Sequence, residues 1–422
     1  MIMSNNTPIK CIGTVVTGKT PSTNIAENFG DEYMFVTPAE LHDIFIIEKS
    51  DKMLTQKGLD SIRSNAIQGL SILVGCIGWD MGNVALVEER CATNQQINSI
   101  TKIKEAYNPY YVYYWLLTQK KNLFKRATIT RTPILNKTTF EEILVPTPDK
   151  SVQDDIANLL LPISKKIQLN NSIIAELEKV AKTLYNYWFM QFDFPNAKGQ
   201  PYRTSGGKME YNEVLKRKIP IGWKVIPFSE ILSENKQPLP EDTKKDDMFG
   251  LDLSIMPSAS MCLNQRGKAS DFESNRFILK KYDLLFGSIR PYLRKAGFAV
   301  FDGVVNGTIM NFRCKGNTDY SYALCTLTSE MMFKYAITRS SGNGTRMPTI
   351  NATELLDYVI VYDKQTVIQF ENHLSQYWKM IADNINQNFE LTELRDFLLP
   401  LLMNGQAKVK EESTHREKST KN

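Results

Sequence analysis

The stretch that most restricts how this chain can fold lies in its middle, between Ser151 and Asp193. Its apolar residues advance by four and three in turn: Ile156, Leu160, Ile163, Ile167, then Ile174, Leu177, Ala181, Leu184 and Trp188, with Asn170 on the same line. A 4-3 repeat held over this span is the signature of a helix that buries a narrow stripe against another helix. At about 1.5 Å per residue, the run predicts a rod on the order of 65 Å long. Pro162 is expected to notch or kink it, because proline lacks the amide that bonds the preceding turn. Such a rod must hold two things apart or find a mate.

A mate is present further along. Moving each seam position by 214 residues gives Phe370, Leu374, Tyr377, Ile381, Asn384, Asn388, Leu391, Arg395, Leu398 and Leu402. Most are apolar, and Asn384 repeats Asn170. One asparagine in such a seam costs stability but fixes register. The chain therefore reads as an internal repeat.

The 422 residues, 42% of them hydrophobic, can bury cores for two or more domains. There is no apolar run near the length of a membrane span, and MIMSNNTPIK has no secretion-signal pattern, so a cytoplasmic protein with no membrane contact is expected. Six cysteines without CxxC pairing and only three histidines argue for reduced thiols and against a metal site. The net charge is only +5, but it is unevenly placed. Lys49–Arg131 holds twelve Lys/Arg against six Asp/Glu, and Cys262–Arg346 holds thirteen against six. Two basic stretches, one ahead of each long helix, suit two contacts with a polyanion.

Residues 1–150 read as a mixed α+β domain with short strands (SILVGCIG at 71–78, NVALV at 83–87) and a helix after Pro109. The central helix takes 151–195, and the Gly/Pro/Lys-rich 196–220 reads as linker. Residues 221–362 repeat the first domain. SILVGCIG aligns with DLLFGSIR at 283, and Asn94 with Asn306, both offset by 212. A distal helix at 363–405 and a flexible basic tail at 406–422 complete the chain.

Two motifs invite a catalytic reading. Gly13-Thr-Val-Val-Thr-Gly18-Lys19-Thr20 satisfies GxxxxGK[ST], but a phosphate loop needs a buried strand before it and a helix after it. Only Ile9–Ile12 precede, and Pro21-Ser22 and a polar stretch follow, so a glycine-rich turn is expected rather than a nucleotide site. Asn108-Pro109-Tyr110-Tyr111 resembles the [ND]PP[YFW] loop of amino-methyltransferases but lacks the second proline and any glycine-rich cofactor turn. Asn as helix cap and Pro at the first helical position account for it. No nucleophile arrangement emerges, and the chain is expected to do no chemistry. A P-loop nucleotide-binding enzyme, a self-sufficient methyltransferase and a coiled-coil scaffold without a DNA role are the competing readings.

What remains is binding. Sequence reading in DNA takes arginines for guanine edges and amides for adenine, while lysines hold phosphates. In the first half the candidates are Lys57, Arg63, Asn94, Gln95, Gln96, Lys125, Arg126 and Arg131; Gln95 and Gln96 could equally cap a strand end. In the second half they are Arg266, Lys268, Arg290, Arg294, Asn306, Arg339 and Arg346.

Several segments together resemble the specificity subunits of type I restriction–modification systems over nearly the whole length. They are the linker with Tyr202, Ser205-Gly206-Gly207-Lys208-Met209 and Ile219-Pro220-Ile221-Gly222-Trp223; the helical LNNSIIAELEKVAKTLYNYWFMQFDF; and Leu399-Pro400-Leu401-Leu402-Met403-Asn404-Gly405. TGKTPST and ATNQQI also look like recognition-domain positions. The resemblance implies two target recognition domains, each reading one half of a split, asymmetric site on double-stranded DNA. It further implies paired antiparallel helices that set the spacer and dock two methyltransferase subunits, with a restriction/translocase subunit binding the assembly. S-adenosylmethionine, ATP and magnesium would then belong to the partners, and no cofactor to this chain. Pro162, where relatives more often carry a charge, and Arg395 on the second seam depart from the pattern.

Overall fold

The computed structural model describes residues 5–129, 131–240, 242–244, 248–271, 276–341 and 347–409. The chain divides into two compact units, residues 1–169 with 390–422, and residues 170–389. The two long helices, Lys150–Tyr185 and Lys364–Met403, each contribute to both units. Arg346 lies outside the described residues, as does most of the tail.

In the first unit a four-stranded antiparallel sheet has the order Thr14–Thr17, Ile97–Thr101, Ser71–Gly75, Val84–Val87. Strand Ser71–Gly75 is apolar throughout because both of its faces are covered. Ile72 and Val74 join one cluster with the helix Pro109–Leu117, while Leu73 joins another with Met34 and Val36. A three-stranded sheet follows, in which Phe29–Val36 runs antiparallel to Lys52–Leu54 and parallel to Cys91–Thr93.

The second unit repeats this plan. Its four-stranded sheet has the order Leu232–Glu234, Ile309–Cys314, Leu284–Gly287, Ala296–Phe298, and Phe249–Leu251 runs parallel to Gly303–Asn306. The registers match at the offset of 212. Ile72 faces Ile100 and Leu86 in the first sheet, and Leu284 faces Phe312 and Phe298 in the second. The duplication read from the sequence is therefore present at the level of individual strand pairs.

The seam is also present within each unit. In the first, Ile156 and Leu160 are buried in one cluster with Leu399 and Leu402. In the second, Ile174, Ala181 and Trp188 share a core with Phe370, Leu374 and Ile381. Low numbers meet high numbers, so the pairing is antiparallel: Trp188 touches Phe370, and Asn170 meets Asn388. Ile163, Ile167, Leu177, Leu184, Tyr377, Leu391 and Leu398 lie half-buried at the margin of the stripe. Pro162 sits on an exposed position inside a continuous helix, which closes with a π turn at Asn186–Met190.

Asn384 is not the seam partner of Asn170. Its amide donates to the Met380 carbonyl of its own helix at 2.7 Å. Asn170 donates instead to Asn388 Oδ1 at 2.8 Å and Gln387 Oε1 at 2.9 Å. In an antiparallel pair, repeat-related positions meet only at the midpoint of the repeat, and Asn388 lies one turn beyond Asn384.

The segment 196–220 is folded rather than a bare linker. Met209–Asn212 pairs with Arg217–Pro220, Phe194 stacks on Tyr202, and Asp193 accepts from the Thr204 amide and hydroxyl, each at 2.7 Å. Glycine supplies the close approach here, since a Cβ at Gly207 would lie 2.4 Å from the Tyr202 ring.

Candidate nucleic-acid interface

In the first unit, residues 76–83 connect Ser71–Gly75 to Val84–Val87. Gly78 and Gly82 take positive φ and leave Trp79 69% exposed. The loop is tied to the following hairpin. The Gly78 amide donates to the Pro133 carbonyl at 3.0 Å, and the Leu135 amide to the Cys76 carbonyl at 2.8 Å. Lys120, at the start of helix Lys120–Arg126, donates to Asp80 and Asn83, both at 2.7 Å. That ammonium holds the Asp80 carboxyl below its ordinary range. Lys125 and Arg126 end the helix exposed, after Phe124, whose ring lies 6.2 Å from that of Trp79. With Trp115, Leu123 and Leu144 they line a shallow cleft of about 260 Å³. Arg131 is exposed two residues before Pro133.

The second unit builds the same cluster. The Arg290 amide donates to the Pro348 carbonyl at 2.8 Å, and the Ile350 amide to the Ser288 carbonyl at 3.0 Å. Arg290 and Arg294 adopt left-handed backbone conformations around the turn Pro291–Leu293, which leaves Tyr292 50% exposed. That turn packs on helix Glu330–Arg339, and Arg294 forms an ion pair with Glu330. Asp80–Lys120 and Arg294–Glu330 thus join the corresponding loop and helix start with their charges exchanged.

Asn94 and Asn306 stand at equivalent turns. Asn94 Oδ1 accepts from the Gln96 amide at 3.0 Å, and Asn306 Oδ1 from the Thr308 amide at 3.1 Å. The same turns brace the loops, because the Cys76 amide donates to the Gln96 carbonyl and the Ser288 amide to the Thr308 carbonyl. Gln95 is exposed and accepts from Thr20 Oγ1 at 2.9 Å, whereas Asn306 is buried and bonds Asp252. These asparagines are turn-formers first, as short polar side chains that mimic the backbone.

The remaining sequence candidates fall into two groups. Arg63, Lys268 and Arg339 are exposed. Lys57 is exposed but paired with Glu27. Arg266 is half-buried, its guanidinium 3.9 Å from the Phe249 ring centroid and 4.3 Å from that of Phe389. Trp79 and Tyr292, exposed in these loops, are not among the sequence candidates. The only available signal was an aromatic residue in a glycine- or proline-containing break between apolar strands.

The phosphate-loop reading does not survive the backbone. Thr14–Thr17 form a strand paired with Ile97–Thr101, so these residues are committed to a ladder rather than a phosphate cradle. Gly18 is required for packing, since a Cβ there would lie 2.1 Å from the Asn94 carbonyl oxygen. Asn108 is a helix cap, accepting from the Tyr110 and Tyr111 amides at 2.9 and 3.2 Å, with its own amide donating to Asp154 at 2.6 Å. Among the described residues, no group of three His, Cys, Asp or Glu side chains could hold a metal, and no helix is long and apolar enough to cross a membrane.

The two units thus share a mixed fold with a basic loop cluster in each, and the two long helices contribute to both. Residues 5–179 match the type I restriction modification DNA specificity domain. The chain is 25% identical to the type I restriction enzyme MjaIX specificity subunit of Methanocaldococcus jannaschii, over 96% of this chain and 93% of that one. It is 31% identical to the HindI specificity subunit of Haemophilus influenzae, over 38% and 35% of the two chains. The fold resembles the S subunit of the type I system from M. genitalium, with a TM-score of 0.55 at 15% identity over 95% of this chain and 96% of that one. Residues 5–179 thus match a type I DNA specificity domain, and nearly the whole chain is similar to a type I specificity subunit in sequence and in fold.

Proposed function

We propose that each unit reads one half of a bipartite, asymmetric DNA site and that the long helices set the spacer whose bases go unread. The chain itself performs no reaction. Methyl transfer and ATP-driven chemistry belong to its partners, two methyltransferase subunits docked on the helices and a restriction/translocase subunit, with S-adenosylmethionine, ATP and magnesium bound there. The complex works in the cytoplasm.

The observation that carries this reading is the repeated loop, helix and hairpin cluster. Two such clusters share one connectivity but carry different side chains (Trp79, Lys125, Arg126 and Arg131 in one, Tyr292, Arg290 and Arg339 in the other). Equivalent scaffolds with unlike tips are what two unlike half-sites require. Mapping methylated bases in a host carrying this chain with its neighbouring genes tests it. One heptad inserted at facing positions of both helices adds about 10 Å, equivalent to about three base pairs at 3.4 Å each. The spacer should lengthen while both half-sites stay unchanged; an unchanged spacer refutes the measuring role. A scaffold without a DNA role would show no steep salt dependence of duplex binding.

A further inference from the structure

Trp79 and Tyr292 are large aromatic side chains left half or more exposed to water. Trp79 is the one tryptophan that is exposed; Trp115, Trp188, Trp223 and Trp378 are all buried. A 69% exposed indole gains little from folding, yet its loop is closely specified. Two glycines at φ +107° and +93° flank it, two backbone hydrogen bonds clamp the loop to the hairpin, and Lys120 clamps it to the helix. The second unit places Tyr292 in the matching loop, one residue past the position equivalent to Trp79, in a turn built by Pro291 and left-handed arginines instead of glycines. Different local means serving one end, an aromatic ring at a loop tip, argue that the ring itself is wanted.

The surroundings select the partner. The Trp79 ring lies 6.2 Å from that of Phe124, which is followed on the same helix by the exposed Lys125 and Arg126; Arg131 is on the clamped hairpin, and Asp80, next to Trp79 in the chain, is paired with Lys120. A ring in a cationic setting suits a ligand that offers both phosphates and apolar base edges such as the thymine methyl. From this, and resting on the bipartite reading above, we infer that Trp79 and Tyr292 are the aromatic specificity contacts of the two units, each packing against a base of its own half-site. The neighbouring cations hold the flanking phosphates. A wrong base pair at a read position costs about 1–3 kcal/mol, so losing one ring lowers discrimination at its position by about 5- to 150-fold.

Two measurements on the full chain test this. Iodide quenching of tryptophan fluorescence reports Trp79 almost alone, and a duplex carrying the chain's own methylated sequence should abolish the accessible fraction. Methylation mapping of Trp79→Ala and Tyr292→Ala, each expressed with the neighbouring genes, should show one half-site relaxed in the first and the other in the second. Trp79→Phe should retain the wild-type pattern. Iodide access unchanged by bound duplex, both half-sites intact in both alanine variants, or both halves lost together in either one would overturn the inference. Methylation lowered equally at every site with duplex binding intact would assign these rings to a protein partner, and that too overturns it. A wild-type chain without salt-dependent duplex affinity would refute the bipartite reading itself, a result distinct from those above.

Discussion

Replacing Asn170 by leucine should stabilise the second unit while loosening the register of its helix pair. Asn170 is fully buried and donates two hydrogen bonds, to Gln387 and Asn388, while its own Oδ1 is buried with no hydrogen-bond partner. The two bonds are worth about 1 kcal/mol each, and the unsatisfied carbonyl costs about 1–3 kcal/mol. Leucine removes all three and buries a side chain worth about 1.5–3 kcal/mol. The abandoned groups stay solvated, because Gln387 is exposed and Asn388 still donates to Asn171 at 2.8 Å. The balance is a gain of roughly 1–3 kcal/mol by these magnitudes. Equilibrium urea unfolding, followed by tryptophan fluorescence, should show a raised midpoint with an unchanged slope. Methylation maps of the same variant should show more than one spacer, since an apolar seam admits neighbouring registers. A loss of more than about 1 kcal/mol would refute the reasoning. It would mean that the Asn170 carbonyl is satisfied in solution and that the amide is a net stabiliser.

Other substitutions test individual contacts. Glu178 on the first long helix accepts from Ser260 Oγ and from the Met261 and Cys262 amides at 2.9–3.2 Å; Glu178→Ala strands the buried Met261 amide, while Cys262 keeps Ser260 Oγ, and should cost about 1–3 kcal/mol by urea unfolding. Gly18→Ala drives a methyl into the Thr93–Asn94 backbone and should cost about 1–3 kcal/mol, whereas Lys19→Ala should leave nucleotide titrations of the isolated chain as flat as wild type. Burial raises the Glu371 pKa above 4.5, and the Ser321 amide at 2.7 Å offsets this only in part. The folded state therefore binds that proton more tightly, and stability falls as pH rises from the unfolded to the folded pKa. Glu371→Gln should remove this step, so the stability of wild type relative to variant should decline across that window; urea midpoints from below pH 4.5 to pH 7 read it, and a flat difference refutes it.

The apolar skeleton was legible because periodicity records it directly. Ser71–Gly75 with Val84–Val87, their counterparts 212 residues on, and the stripe through Ile156, Leu160, Ile174 and Trp188 all follow from spacing alone. Buried polar residues were not legible. Gln153, Ser164, Glu178 and Asp283 sit inside because each satisfies particular distant groups, such as Tyr114 Oη on Ser164 at 2.8 Å and Arg313 on Asp283 at 2.6 Å. No local pattern encodes such pairs. Residues 196–220 were read as linker because glycine and proline mark breaks, yet here they let Tyr202 and Phe194 stack. At the candidate interface the basic character was visible. The commitment of Arg266 to two rings and of Asn306 to Asp252 depended on residues far away in sequence.

The exchanged polarity of Asp80–Lys120 and Arg294–Glu330 bears on how new specificities can be assembled from such chains. Moving only a tip loop from one half into the other would set Arg294 beside Lys120, or Asp80 beside Glu330, placing like charges where each graft needs an anchor. A graft that also carries the first turn of the adjoining helix keeps its own counter-ion and should seat in either scaffold. The smallest interchangeable module in this protein is therefore loop plus helix start, and hybrids cut inside that boundary should lose up to about 1 kcal/mol for electrostatic reasons unrelated to the sequence they were meant to read.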